Sequence, residues 1–551
     1  MAAHHPAVFP VETAGGSQQS GWPHGDWRQD RHSGKVPQLQ GKCQRQCTPA
    51  AKQPCTRRRR VWQAAAIGIR LTLRQFLEPS MFGIVLSTAA LAATWTAAGL
   101  AALSAARTAR TPQGAIGWVV FLLAAPVLAL PAYLIFGHHR FRGYWKARRA
   151  AEQAVIAKRN YTSAQSEDVP ALSVKTAPFE AIAGLQVCRG NGMELLINGS
   201  ETFNSIFEAI ENAQEYVLVQ YYILHADDLG AQLQSRLIAA AERGVTVWFM
   251  TDSIGSRKLP REYKRALEAA GVNMIDPAVQ RGPWHRLRIN FRNHRKTVIA
   301  DGRVGFTGGL NVGDEYMGLD PGFGPWRDTH VRLSGPVVQQ LQLSFAEDWH
   351  WRTQEPILDL LNWEPEASPQ DRPALIASTG PGDTIGNGSM LYFSAITAAQ
   401  SRIWIASPYL VPDQDVFAAL KHAGLRGVDV RILLPETIDH YLPWLAGFAF
   451  FDELRAAGVH ILRYQGGFMH QKCFVVDDTI GGVGTLNLDN RSFRLNFETM
   501  ALFFDQATAS AIADMLAEDF RRSTELSASL EQQTIAIRLL APAARLLAPV
   551  L

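Results

Sequence analysis

A pattern of five residue types at fixed offsets occurs twice in this chain of 551 residues. His294 to Asn311 reads HRKTVIADGRVGFTGGLN, and His470 to Asn487 reads HQKCFVVDDTIGGVGTLN. Both obey H-x-K-x4-D-x6-G-[GT]-x-N. An internal repeat constrains architecture before composition does, because each copy belongs to an equivalent structural unit. The expectation is two similar lobes that bring their motifs to one shared site.

The flanking sequence repeats as well. Glu215 to Leu224 (EYVLVQYYIL) and Arg402 to Val411 (RIWIASPYLV) are apolar runs of strand length. Each is followed by a helical stretch and by a second strand opening at Arg243-Gly244-Val245 or Arg426-Gly427-Val428. A further helix ends in Ala-Ala-Gly-Val, at Ala269 to Val272 and at Ala456 to Val459, with glycine where a helix C-cap favours it. Each lobe thus reads β-α-β-α-β followed by the motif. The predicted fold class is α/β, two lobes with a mixed, mostly parallel sheet flanked by helices. The first lobe is expected over 176–354 and the second over 390–525. Between them, 355–389 is rich in Pro, Gly, Asp and Ser and reads as a linker. The tail 526–551 reads as an amphipathic helix at a membrane interface.

In a strand, side chains two apart share a face, so His294 points with Lys296 and His470 with Lys472. Asp301 and Asp477 complete the same catalytic signature but fall an odd number of positions from the lysines. They read as structural residues that close the Asp301-Gly302 and Asp477-Asp478 turns. Asn311 and Asn487 follow the small pairs Gly308-Gly309 and Gly484-Thr485, which let backbone approach a ligand closely. The convergent set is therefore two imidazoles, two ammonium groups and two carboxamides. One imidazole attacks while the other protonates a leaving oxygen, and the lysines and asparagines hold an anion between them. This chemistry suits a phosphodiester, whose displacement runs in line. Each histidine also needs an orienting acceptor. Asp328, ahead of the apolar strand His330 to Leu333, is assigned to His294; Glu498, ahead of Met500 to Phe503, is assigned to His470. A metal is not expected at the motifs, because a lysine sharing each histidine's face repels a cation.

The rest of the sequence says where such a site works. A net charge of +4 on so long a chain does not suit a nucleic-acid partner. Met81 to Ala106 carries no charge, and neither does Gln113 to Gly137, which Pro126 and Pro131 are expected to kink. Each run exceeds the roughly 20 residues a helix needs to cross a bilayer, so a two-helix transmembrane hairpin is expected within 61–137. Arg57 to Arg60, Arg70 and Arg74 precede the hairpin, and Arg140, Arg142, Lys146, Arg148 and Arg149 follow it; the loop between holds only Arg107 and Arg110. The positive-inside rule places both flanks, and the catalytic lobes, in the cytoplasm. Residues 1–60 lack hydrophobic periodicity and read as disordered. The stretch 138–175 reads as a basic linker against anionic headgroups.

These residues carry a resemblance. The twin H-x-K-x4-D segments resemble the phospholipase D superfamily, and longer strings resemble its bacterial cardiolipin synthase branch. Those strings are Arg110 to Ala115 (RTPQGA), Arg292 to Lys296 (RNHRK), Gly308 to Tyr316 (GGLNVGDEY), Trp326 to His330 (WRDTH), Asp348-Trp349, Pro408 to Asp413 (PYLVPD), Gly466 to Lys472 (GGFMHQK) and Gly484 to Asn496 (GTLNLDNRSFRLN). The resemblance implies phosphatidyl transfer without metal, nucleotide or other cofactor. Its substrates and product would be phosphatidylglycerol and cardiolipin in the bacterial cytoplasmic membrane, with His294 as nucleophile and His470 as general acid and base. The rival reading within the superfamily is a membrane-bound phospholipase D that passes the phosphatidyl group to water.

Overall fold

The structure is a computed structural model that describes residues 79–109, 112–137, 174–275, 292–383 and 385–551. The expected disordered extension, the amphipathic lead-in before the first span and nearly all of the basic linker lie outside those residues.

Ala- and Leu-rich sequence whose one charged residue is Arg107 in the last turn forms one long helix, α1 (Pro79–Thr108). Its stretch Gly83–Thr108 is long and apolar enough to cross a membrane. The second apolar run breaks at Pro126, one of the two prolines expected to kink it. It forms two short helices, α2 (Pro112–Ala124) and α3 (Pro126–Phe136). The break falls at Ala125, with φ −141° and ψ 64°, because the ring of Pro126 drives the preceding residue out of the helical region. Pro131 is accommodated inside α3. The Trp118 and Tyr133 rings then meet edge to face at 5.1 Å.

The remainder is built on one sheet. The first half contributes β1 (Cys188–Ile197), β2 (Tyr216–Tyr221), β3 (Thr246–Thr251), β4 (Asn273–Ile275) and the two-residue β5 (Arg292–Asn293). It continues with β6 (Thr297–Ala300), β7 (Val304–Gly308), the short β8 (Trp326–Arg327) and β9 (Thr329–Ser334). The second half contributes β10 (Arg372–Thr379), β11 (Arg402–Ala406), β12 (Leu410–Val411), β13 (Asp429–Pro435), β14 (Val459–Tyr464) and β15 (Phe468–Met469). Then come β16 (Cys473–Val476), β17 (Ile480–Gly484), β18 (Leu488–Asp489), β19 (Asn496–Phe503) and β20 (Ser523–Glu525). Four of these strands stand outside the large sheet, where β8 pairs with β15 and β12 with β18 as separate two-stranded sheets. From one edge the order runs β4-β3-β2-β6-β7-β9-β1, and from the other, inside β20, it runs β14-β13-β11-β16-β17-β19-β10. The two runs join where β1 pairs with β10.

The β-α-β-α-β order is present in both runs, and its three strands are parallel, β2-β3-β4 and β11-β13-β14. The sheet as a whole is not mostly parallel, which corrects the expectation. The motif strands β6 and β7, and likewise β16 and β17, form antiparallel hairpins. The central strands β9, β1, β10 and β19 continue antiparallel. Short turns such as Asp301-Gly302, both at positive φ, permit no parallel crossover.

The supposed linker is likewise corrected. Residues 372–379 form β10, hydrogen-bonded on one side to β1 and on the other to β19. Its consecutive apolar residues Ala374, Leu375, Ile376 and Ala377 are buried on both faces at the centre of the sheet, which outweighs the turn-rich sequence around them. The tail also differs from a free interfacial helix. Ile535–Arg545 packs its Ala541 and Ala544 face into the core, and the small side chains allow close approach to the Tyr441–Ala456 helix. Ile535, Leu539, Leu540 and Leu546 remain exposed.

Candidate active site

Both motif histidines are buried at the junction of the two halves, and each takes its carboxylate from the other half. His294 Nδ1 lies 2.9 Å from Glu498 Oε2, and His470 Nδ1 lies 2.8 Å from Asp328 Oδ2. The pairing assigned within each half is therefore wrong; the partners are exchanged. Strand register is the cause. β5 runs parallel to β19 with Asn293 opposite Phe497, so the next residues along are His294 and Glu498. β15 runs parallel to β8 with Met469 opposite Arg327, so His470 follows beside Asp328. Backbone bonds lock both registers, from His294 N to Phe497 O at 3.0 Å and from His470 N to Arg327 O at 2.8 Å.

The residue between histidine and lysine anchors each motif on its opposite face. Arg295 pairs with Asp348 at 2.7 Å, and Gln471 donates to Asp519 at 2.8 Å. Asp519 also pairs with Arg327, the residue beside Asp328, at 2.7 Å. Each lysine is fully buried behind its histidine. Lys296 Nζ donates to the His294 carbonyl at 2.7 Å, and Lys472 makes the same bond to the His470 carbonyl. Aromatic rings flank the imidazoles: Tyr222 beside His294 at 5.2 Å, Trp326 and Phe468 beside His470 at 5.3 and 5.8 Å.

The variable position after the motif glycine has a steric reason. A Cβ on Gly309 would lie 2.0 Å from Asp328 Oδ1. At the matching position Thr485 Oγ1 instead donates to Glu498 Oε2 at 2.5 Å.

Asp301 and Asp477 sit apart from this chemistry, as strand parity requires. The Asp301 carboxylate accepts from Gln214, Glu215 and Tyr216 N, each at 2.8 Å, where β2 begins. Asp477 accepts likewise from the backbone of Gln400, Ser401 and Arg402 ahead of β11. They tie each hairpin to the start of its neighbouring strand. Asn311 is held within its own half, its Oδ1 accepting from Ile223 N and its Nδ2 donating one N–H to Tyr316 Oη.

Electrostatics set the resting protonation. Burial pushes Glu498 and Asp328 upward, but the N–H of His294 and the charge of Lys296 on one, and the charge of Lys472 and the N–H of His470 on the other, hold both below the ordinary carboxylate range. Burial also draws His294 below the ordinary imidazole range and, with Lys472, draws His470 down to about 4. Two neutral imidazoles thus face two ionised carboxylates. An ionised carboxylate only accepts, so Nδ1 carries the proton and each Nε2 offers a lone pair. Burial lowers Lys296 to about 7 and Lys472 to about 8.

Among the described residues, His225, Asp227 and Glu315 bring ligand-type atoms within 4.8 Å of one another. His225 pairs there with Glu315 at 3.3 Å, outside the motif pair. Sequence reasoning did not find the anchors Arg295, Gln471, Asp348 and Asp519 or the flanking rings of Tyr222, Trp326 and Phe468. The matched spacing of Arg295 and Gln471 inside the repeat was the available signal.

A sequence profile described as "Cardiolipin synthase, PLD-like domain" matches residues 206–349 and 392–523. Cardiolipin synthase A of Pseudomonas putida is 45% identical over 466 residues, covering 82% of this chain and 95% of the relative. The chain belongs to the cardiolipin synthase family. Cardiolipin synthase A of Pseudomonas syringae is 45% identical over 486 residues, covering 86% of this chain and 99% of the relative. Among solved structures, the phosphatidylserine synthase of Haemophilus influenzae shares the fold. It aligns at a TM-score of 0.53 and 15% identity over 68% of this chain and 99% of its own.

Proposed function

We propose that this chain is a membrane-anchored cardiolipin synthase made of two duplicated phospholipase D-like lobes. The observation that carries the reading is the exchanged pair of histidine–carboxylate contacts, set in a chain 45% identical to cardiolipin synthases over most of its length. The His294 Nε2 attacks the phosphorus of one phosphatidylglycerol, and the bond from phosphorus to the glycerol oxygen breaks. His470, which takes up a proton at Nε2 once the anionic phosphate is bound, supplies the proton that glycerol takes away. A hydroxyl of a second phosphatidylglycerol then gives its proton to His470 and attacks phosphorus, forming cardiolipin and freeing His294. The buried ammonium groups of Lys296 and Lys472 offset the phosphate charge as it gathers in the transition state. Glu498 and Asp328 stabilise whichever imidazolium forms beside them.

Both substrates are bilayer lipids, which fits the apolar helix Gly83–Thr108. In this reading α2 and α3 together return the chain across the bilayer, and the basic residues on either flank hold the catalytic lobes on the cytoplasmic face. The exposed leucines of Ile535–Arg545 rest against lipid.

The test is to incubate membranes carrying the protein with phosphatidylglycerol and to analyse lipids by mass spectrometry. Cardiolipin with equimolar glycerol is expected. Phosphatidic acid as the main product would overturn the transferase reading in favour of hydrolysis.

A further inference from the structure

The two halves diverge at their motif asparagines. Asn311 Oδ1 accepts from Ile223 N at 3.1 Å, and its Nδ2 donates to Tyr316 Oη at 3.1 Å. Asn487 occupies the same motif position without that task, because Ser407 has taken over the local backbone. Ser407 Oγ accepts from Leu488 N at 2.9 Å and from Tyr409 N at 3.4 Å, and donates to Tyr409 O at 2.9 Å. The first half has Tyr221 at the place of Ser407. Asn487 turns its N–H group to the Asp489 carboxylate. Its Oδ1 is left buried, with no partner among the described residues. A buried acceptor without a donor is disfavoured, so this oxygen calls for a donor carried by a ligand.

The surrounding wall has the same polarity. Asp489 stands where the first half has Gly313, and Tyr409 stands where it has Ile223. Asp439 accepts from Tyr409 Oη at 2.5 Å and acts electrostatically on His470 and Lys472. Asp489 acts on Lys472 and on Tyr409. Carboxylate and amide oxygens repel a phosphate and accept from hydroxyl groups. The contrast between halves thus separates two tasks: cations behind the histidines for the phosphate, acceptors on the His470 side for an alcohol.

We propose that Asn487, Asp489, Asp439 and Tyr409 form the subsite for a polyhydroxyl alcohol. Its occupant is glycerol as it leaves, and then the glycerol headgroup of the lipid that accepts the phosphatidyl group. The proposal rests on the phosphatidyl-transfer reading above. It agrees with the roles given above, since an alcohol held there lies on the side of His470, the residue that takes the acid and base steps. In the second step the alcohol oxygen bonds to phosphorus as the bond from phosphorus to His294 breaks, and the hydroxyl proton passes to His470.

Two variants of the full-length protein in membranes test it, Asn487→Ala and Tyr409→Phe. With phosphatidylglycerol alone, the ratio of cardiolipin to phosphatidic acid is expected to fall about ten-fold in each, as water replaces a poorly held lipid alcohol. With cardiolipin and free glycerol, the KM for glycerol is expected to rise by more than kcat falls, which separates the free alcohol from the lipid headgroup. A product ratio and glycerol KM within about two-fold of the unsubstituted protein would overturn the proposal. Loss of covalent phosphate labelling on His294 would overturn it too, because the defect would then lie in phosphate chemistry and not in the alcohol. Failure of the underlying reading is seen separately, as absence of cardiolipin from the unsubstituted protein.

Discussion

Glu498 lies 204 residues beyond His294 and accepts its Nδ1–H at 2.9 Å, while the carboxylate nearer in sequence, Asp328, serves His470. The exchange means that a substitution in one half disables the histidine of the other.

Glu498→Gln is expected to lower kcat by about 10³- to 10⁴-fold, because a carboxamide offers its N–H as readily as its oxygen and no longer fixes the tautomer of His294. The covalent intermediate on His294 should fail to accumulate in a rapid-quench labelling experiment. A full burst of labelling would refute the exchanged pairing.

Gly309→Ala places a methyl group 2.0 Å from Asp328 Oδ1 and so displaces the acceptor of His470. Misplacement of about 1 Å costs on the order of 100-fold in rate, and steady-state turnover should show it. Thr485→Val removes only the hydroxyl that supports Glu498 and should cost about ten-fold.

The lysines predict a basic limit to activity. Burial places Lys296 at about 7 and Lys472 at about 8, so both are charged below these values and neutral above them. Both groups lose positive charge as pH rises, and the anionic substrate loses its counter-charges. The kcat/KM for phosphatidylglycerol should therefore begin to fall above about pH 7 and fall more steeply above about 8. A profile flat to pH 10 would contradict this.

Asp301 and Asp477 predict a stability effect with little change in chemistry. Asp477→Ala leaves the N–H groups of Gln400, Ser401 and Arg402 without their acceptor. It also puts alanine at φ +49°. A loss of about 1–3 kcal/mol is expected by denaturant unfolding, with turnover per folded molecule within a few-fold of the unsubstituted protein.

Local signals in the sequence carried much of the fold. Apolar runs and the Ala-Ala-Gly-Val helix ends located β2, β3, β11 and β13 with their helices, and parity separated Asp301 and Asp477 from the lysines. Long-range pairing was not legible. β5 and β15 are two residues each, too short to register as strands, yet their parallel pairing with β19 and β8 decides which carboxylate meets which histidine. β10 lies within turn-rich sequence, and its place between β1 and β19 follows from burial in the finished sheet. Pro126 and Pro131 marked where the second apolar run would kink, and at Pro126 the effect on Ala125 goes further and divides it into two helices.

The exchanged carboxylates also bear on how the two halves depend on one another. A single half on its own would hold a histidine and a carboxylate that do not face one another. Neither pair exists until both halves have folded and β10 has joined β1 to β19. Catalytic competence is therefore a property of the closed sheet, and damage to the seam at β10 silences both histidines together.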